Sequence, residues 1–268
     1  MQELLGLPAA ASSHAGDIDQ MIVLIHWLMA VLFVGWGAFF VFVLFRFSHR
    51  ANPKADYAGA KGKLSKGIEV LIVVAEMVLL VGYAIPAWAK RVQQFPVESE
   101  ATVVRVVGEQ FAWNVQYPGA DGRFGRSDVT LVSADNPLGL DRNDPDGKDD
   151  VTTINQLNVP VDRPVLVQLS SKDVIHSFGL YEMRVKQDAI PGLRIPVWFI
   201  PTVTTADMRQ KMGKADFDYE ITCSQLCGLG HFRMRGFITI QSAADYKKWY
   251  DDQEKELQPA PVATPTAP

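Results

Sequence analysis

From Met21 to Phe47 the chain reads MIVLIHWLMAVLFVGWGAFFVFVLFRF, 27 residues whose only formally charged member is Arg46. As a helix this run extends about 40 Å at about 1.5 Å per residue, enough to cross a hydrocarbon core of roughly 30 Å. A buried soluble helix of that length would need more apolar cover than the polar remainder of the chain supplies. Residues 1–20 contain no Lys or Arg, and the run is too long for the apolar region of a cleaved signal peptide. A second run, IEVLIVVAEMVLLVGYAIPAWA from Ile68 to Ala89, carries Glu69 and Glu76 and has Pro86 near its end. A carboxylate at mid-membrane costs a few kcal/mol, so Glu76 is expected to face protein or water, whereas Glu69 can sit at the interface. Six Lys or Arg between Arg46 and Lys66 face a single acid, Asp56, while residues 1–20 hold three acids. By the positive-inside rule the loop 48–67 is cytoplasmic, with spans at 21–47 and 68–91 and both flanking parts outside.

The rest of the chain is of another kind. Short β-rich runs follow from about Pro96: ATVVRVVGEQ, FAWNVQYP, DVTLV, VTTINQLNV, RPVLVQLSS, RIPVWFIP, FDYEIT and RGFITIQS, separated by turn residues. Such a series over 92–251 indicates a sandwich or barrel. Residues 133–150, SADNPLGLDRNDPDGKDD, hold six Asp, but Pro145 stands where a calcium loop needs an oxygen ligand, so the segment reads as a solvated surface insertion. A short helix is expected over SAADYKKWYDDQEKEL, with Ser242 as its cap and Tyr246, Trp249 and Tyr250 as its packing residues. The tail, assigned to 252–268 and ending QPAPVATPTAP, lacks the large apolar residues needed to pack a core and is expected to be disordered. The net charge of −4 excludes a nucleic-acid binder that works by bulk positive charge.

Residues 223–234 read CSQLCGLGHFRM, placing Cys223, Cys227, His231 and Met234 on one loop between two strand-like runs. Thiolate, imidazole and thioether together make a copper set, because Met is a poor zinc ligand. Two thiolates four residues apart can also bridge two metal ions in a compact unit that exchanges one electron with little rearrangement. A second imidazole is then needed. His14 and His49 flank the first span and His26 lies within it, which leaves His176 in SSKDVIHSFG. A Cys223–Cys227 disulfide and a zinc site of Cys223, Cys227, His231 and His176 remain as alternatives.

On DVIHS, QDAIPG, the two-span hairpin and CSQLCGLGHFRM, the chain resembles subunit 2 of haem-copper cytochrome c oxidases. The resemblance implies a two-helix transmembrane hairpin followed by an all-β cupredoxin-like Greek-key sandwich, in the inner membrane of a bacterium. It also implies a dinuclear copper centre, CuA. Carried over, the family's pattern makes Cys223 and Cys227 bridging thiolates, His176 and His231 terminal ligands, and Met234 and the Gln225 carbonyl weak axial ligands. Glu69 would stand at the entrance of a proton path. In GEQFAWNVQYP the family's electron-input Trp falls at Phe111, with Trp113 two residues on. Many members carry a Glu where Gln225 stands, and its side chain helps bind magnesium at the subunit interface. The implied partners are the catalytic haem-copper subunit 1 and other oxidase subunits, with cytochrome c or a haem c subunit as donor. The sequence has no CxxCH, so that donor is expected to be a separate chain. A CuA subunit of a nitric oxide reductase complex and a membrane-anchored copper or zinc protein without turnover are the competing readings, whereas quinol-oxidising relatives lose the copper ligands.

Overall fold

The computed structural model describes residues 4–54, 57 and 62–257. Asp56 and Lys61 of the basic loop and the QPAPVATPTAP segment lie outside these. Two units emerge, one formed by the helices and the other by residues 8–15 together with the chain from Phe95 onward.

In the helical unit, α1 (Ala15–Arg46) and a second rod made of α2 (Lys63–Leu79) and α3 (Ile85–Gln93) are each long and apolar enough to cross a membrane, and neither apolar window is buried. The first rod covers Ala15–Arg46 where 21–47 is expected, and the second Lys63–Gln93 where 68–91 is expected. The first turn of α1 carries Asp17 and its last turn Arg46, charges that complement the helix dipole where the chain leaves the apolar stretch. A π-helical turn, Leu80–Ala84, joins α2 to α3. Pro86 offers no N–H and its ring crowds the carbonyl four residues back, so a wider turn just before it lets the helix continue.

The second unit is a sandwich of ten strands: β1 (Thr102–Glu109), β2 (Ala112–Tyr117), β3 (Val151–Ile154), β4 (Gln156–Pro160), β5 (Val165–Ser171), β6 (His176–Leu180), β7 (Val185–Ala189), β8 (Ile195–Phe199), β9 (Tyr219–Cys223) and β10 (Arg235–Gln241). One sheet runs β3-β2-β1-β5-β8 and the other β4-β10-β9-β6-β7. Alternation decides which face is inside. Thr102, Val104, Val106 and Gly108 of β1 are buried, while Val103, Arg105, Val107 and Glu109 are only partly covered. The core joins Val104, Val106, Trp113 and Val167 of the first sheet to Leu157, Phe178, Ile221 and Ile238 of the second.

Several strand expectations are corrected. The run VTTINQLNV is two strands in different sheets, broken at Asn155, which adopts a left-handed φ of 57°. Asn155 hydrogen-bonds in both directions: its N–H donates to Trp113 O (2.7 Å), its Oδ1 accepts from Trp113 N–H (2.8 Å), and its carbonyl accepts from Phe237 N–H (2.8 Å). Asn tolerates this conformation and supplies the extra acceptor, so the chain changes sheets without stranding polar groups. DVTLV is not a strand. Val129–Leu131 is a 3₁₀ turn capped by the Asp128 carboxylate, which accepts from Thr130 N–H. The Asp-rich insertion is not wholly solvated either. Asp150 is fully buried and accepts from Gln116 Nε2, Gly119 N–H and Gly125 N–H. Finally, α5 (Ala243–Leu257) passes the expected tail boundary at 252, closed by the pairs Lys247–Asp251 and Lys255–Asp252. Ser242 Oγ accepts from Asp245 N–H as its cap, and Trp249 and Tyr250 pack on Tyr117.

Residues 8–15 belong to the sandwich. Ala11 N–H donates to Glu182 O (2.8 Å), and Ala11 O accepts from Thr202 N–H (2.9 Å).

Candidate metal centre

Strand pairing brings the distant histidine to the Cys loop. β6 lies antiparallel to β9 with Phe178 opposite Cys223, so His176, two residues earlier on β6, projects over the start of the loop. β9 ends at Cys223, a 3₁₀ turn holds His231–Arg233, and β10 leaves at Arg235 opposite Thr222, closing the loop on itself. The Sγ atoms of Cys223 and Cys227 stand 3.8 Å apart. That is far beyond the roughly 2.05 Å of a disulfide, and both cysteines are free. His176 Nδ1 is 3.9 Å from Cys223 Sγ, and His231 Nδ1 is 3.6 Å from Cys227 Sγ. Met234 Sδ lies 3.7 Å from Cys227 Sγ, and the Gln225 carbonyl oxygen 3.2 Å from Cys223 Sγ, while the Gln225 side chain is exposed. With metal–sulfur bonds of about 2.3 Å, two sulfurs at this spacing reach the same ion, and the donors around them are soft or borderline. The residues therefore fit the implied copper pair.

Support for the ligands comes from residues that motif spacing does not reveal. His176 Nε2–H donates to Asp173 Oδ1 at 2.9 Å, which turns Nδ1 toward Cys223. Asp173 is itself held by Gln110 N–H (2.7 Å) and Val174 N–H (2.7 Å), and Gln110 Nε2 donates to Cys227 O at 2.6 Å. A carboxylate three residues before a ligand histidine was the available signal for Asp173; Gln110 had none. Trp113 is fully buried, edge-on to His176 with ring centres 6.0 Å apart. Phe111 is only partly buried and lies over the Cys loop, so tightly that a Cβ at Gly230 would come within 2.4 Å of its ring. Gly108 is similarly constrained, since a Cβ there would meet His176 Cδ2 at 2.9 Å. Glu69 belongs to α2, where its carboxylate accepts from Ser65 Oγ at 3.3 Å.

The electrostatics favour one thiolate without metal and resist a second. Burial alone would raise the Cys223 thiol, but polar groups of His176, Ser177, Gln225 and His231 outweigh it and bring it down to about 6. Cys227, buried and beside the Cys223 charge, is pushed up to about 11. Burial opposes a charged His176, yet Cys223 and Asp173 together raise its pKa. Asp173 moves the other way, since the donors around it outweigh its burial. In copper-free protein at pH 7, iodoacetamide should therefore alkylate Cys223 first, with its rate levelling off above about pH 7, while Cys227 stays slow until far higher pH. Peptide mapping by mass spectrometry reads this, and equal labelling of the two cysteines would contradict it.

A family model described as the periplasmic domain of cytochrome c oxidase subunit II matches residues 102–242. The alternative cytochrome c oxidase subunit 2 of Bradyrhizobium diazoefficiens is 33% identical over 240 residues, covering 89% of this chain and 81% of that protein. The heme-copper oxidase subunit 2 of Aeropyrum pernix is 26% identical over 245 residues, covering 85% of this chain and 89% of its own. The crystal structure of the periplasmic domain of cytochrome oxidase subunit II from Bradyrhizobium japonicum aligns with 62% of this chain and 100% of its own, at 26% identity and a TM-score of 0.42.

Proposed function

The chain belongs to the cytochrome c oxidase subunit II family, and from that premise we propose that it is the electron-accepting subunit of a membrane-bound respiratory oxidase. Electrons come from cytochrome c, or from a haem c subunit, and leave for the catalytic haem-copper subunit, where oxygen is reduced. The observation that carries this reading is the donor set: two cysteine sulfurs, two imidazoles, a buried thioether and a backbone carbonyl within one cluster. A tetrahedral zinc site would leave Met234 and the Gln225 carbonyl without a role. Cys223, Cys227, His176 and His231 would hold the copper pair as its principal donors, with Met234 and the Gln225 carbonyl as weaker ones. When bound, copper in this environment supplies a one-electron carrier. Asp173 fixes the orientation of His176, and the buried Cys227 and Met234 keep water from the sulfurs. Of the two aromatics, Phe111 is the partly exposed one and suits contact with a donor, whereas Trp113 backs His176 from the core.

The two long helices are the membrane anchor, in the inner membrane of a bacterium, with the loop between them cytoplasmic and the sandwich outside. The test uses the complex purified with its haem-copper partner and mixed rapidly with reduced cytochrome c. Copper should be reduced before the haem of the partner; haem reduction with no preceding copper phase would contradict the proposal. In the same complex, Glu69→Gln should slow steady-state oxygen consumption several-fold and leave copper reduction by the donor unchanged. Unaltered turnover would remove Glu69 from the proton path and leave it as a helix-end acid.

A further inference from the structure

Away from the metal cluster, the outer face of the first sheet and the segment 127–138 enclose a cavity of about 550 Å³. Small-molecule sites generally fall between about 300 and 1,000 Å³. Its floor is Arg105 of β1 with Gln168 and Ser170 of β5, its walls include Val129 and Leu138, and Arg194 stands just before β8. Both guanidiniums lack a carboxylate partner among the described residues. Arg105 spends its Nε on Gln168 Oε1 (3.3 Å) and lies 4.1 Å from the centre of the Phe124 ring, and Arg194 makes no ion pair there. Two further charged groups stand at the cavity. Lys172 pairs with Glu109, and the Asp128 carboxylate accepts from both Thr130 N–H and Thr130 Oγ1. Burial, and after it the like charge of Arg194, pull the Arg105 guanidinium down to about 10. The buried Asp150 carboxylate opposes this shift, and Asp128, whose Thr130 donors are neutral, adds a negative charge at the cavity, so the two guanidiniums are partly balanced without either having a carboxylate at salt-bridge distance among the described residues.

We propose that this cavity binds a phosphate monoester with an apolar or ring-shaped body. A phosphate monoester carries close to two negative charges near neutral pH, enough to engage both guanidiniums, and its oxygens suit their planar forks. The hydroxyl of Ser170 adds a donor, and Val129 and Leu138 supply apolar contact for the body. A monocarboxylate offers two coplanar oxygens, which match one guanidinium fork and not both. The shared chemistry is the phosphate head; its source is either a soluble ester or the head of an anionic lipid.

The probe is phenyl phosphate, titrated calorimetrically into the copper-loaded full chain in detergent, beside inorganic phosphate and benzoate. One saturable site is expected, tightest for phenyl phosphate. Arg194→Gln and Arg105→Gln should each weaken it by about tenfold or more, the scale of a lost charged hydrogen bond. Arg194 is exposed, so its variant keeps the test meaningful if the Arg105 variant fails to fold; its copper spectrum should match the unaltered chain. Competition by phosphatidate in nanodiscs identifies the lipid head as the source, and its failure to compete identifies a soluble ester. Absence of saturable binding, benzoate binding as tightly as phenyl phosphate, or unchanged affinity in Arg194→Gln would overturn the proposal.

Discussion

Replacing Cys227 with serine is expected to leave the sandwich folded and to abolish the two-copper centre. Its sulfur stands 3.8 Å from Cys223 Sγ, 3.6 Å from His231 Nδ1 and 3.7 Å from Met234 Sδ. A serine hydroxyl is a hard, protonated oxygen at neutral pH and cannot bridge two soft ions. Loss of a residue that merely supports a ligand commonly costs about 10–100-fold in metal affinity, so loss of a bridge should cost at least ~100-fold. Metal analysis should find one copper or none per chain, with electron uptake from the donor falling in parallel. Two retained coppers in this variant would remove Cys227 from its bridging role.

Trp113→Ala is expected to cost about 3–5 kcal/mol of unfolding free energy, the usual range for deleting a fully buried large aromatic. Trp113 is wholly enclosed, with its ring edge-on to Phe178 at 5.5 Å and to His176 at 6.0 Å. Removing it opens a cavity behind His176, a proposed copper ligand, so destabilisation should come with weaker copper retention. Trp113→Phe should recover most of both, because the indole Nε1 has no hydrogen-bond partner among the described residues and nothing polar is lost with it. Denaturant titration of the copper-free chain reads the stability and competition with a chelator reads the retention. An alanine variant within about 1 kcal/mol of the unaltered chain would mean that the site does not rest on this ring.

What could be read directly from the sequence was local. The apolar runs at 21–47 and 68–89 and the spacing of Cys223, Cys227, His231 and Met234 lie within short windows, and their chemistry does not depend on what the rest of the chain does. What was hidden depends on pairing across long separations. His176 is legible by elimination among the histidines, but what carries it to Cys223, Phe178 facing Cys223 in adjacent strands, is not. Gln110 reaches Cys227 from the opposite sheet. VTTINQLNV reads as one β-rich run, and only the bonds of Asn155 to Trp113 and Phe237 divide it between sheets. Asp150 looks solvated amid five other acids, yet the amides of Gly119 and Gly125 need an acceptor inside the fold and it supplies one. Trp113 and Phe111 both sit in an aromatic run, and burial tells them apart in a way that spacing could not.

The central claim is that the Cys223–Cys227 pair holds two copper ions as one electronic unit. Electron paramagnetic resonance of the copper-loaded full chain, with metal analysis on the same sample, tests it most directly. The account expects two coppers per chain and an unpaired electron split equally by both nuclei. Hyperfine splitting from a single copper nucleus, or a silent site filled by zinc, would contradict it.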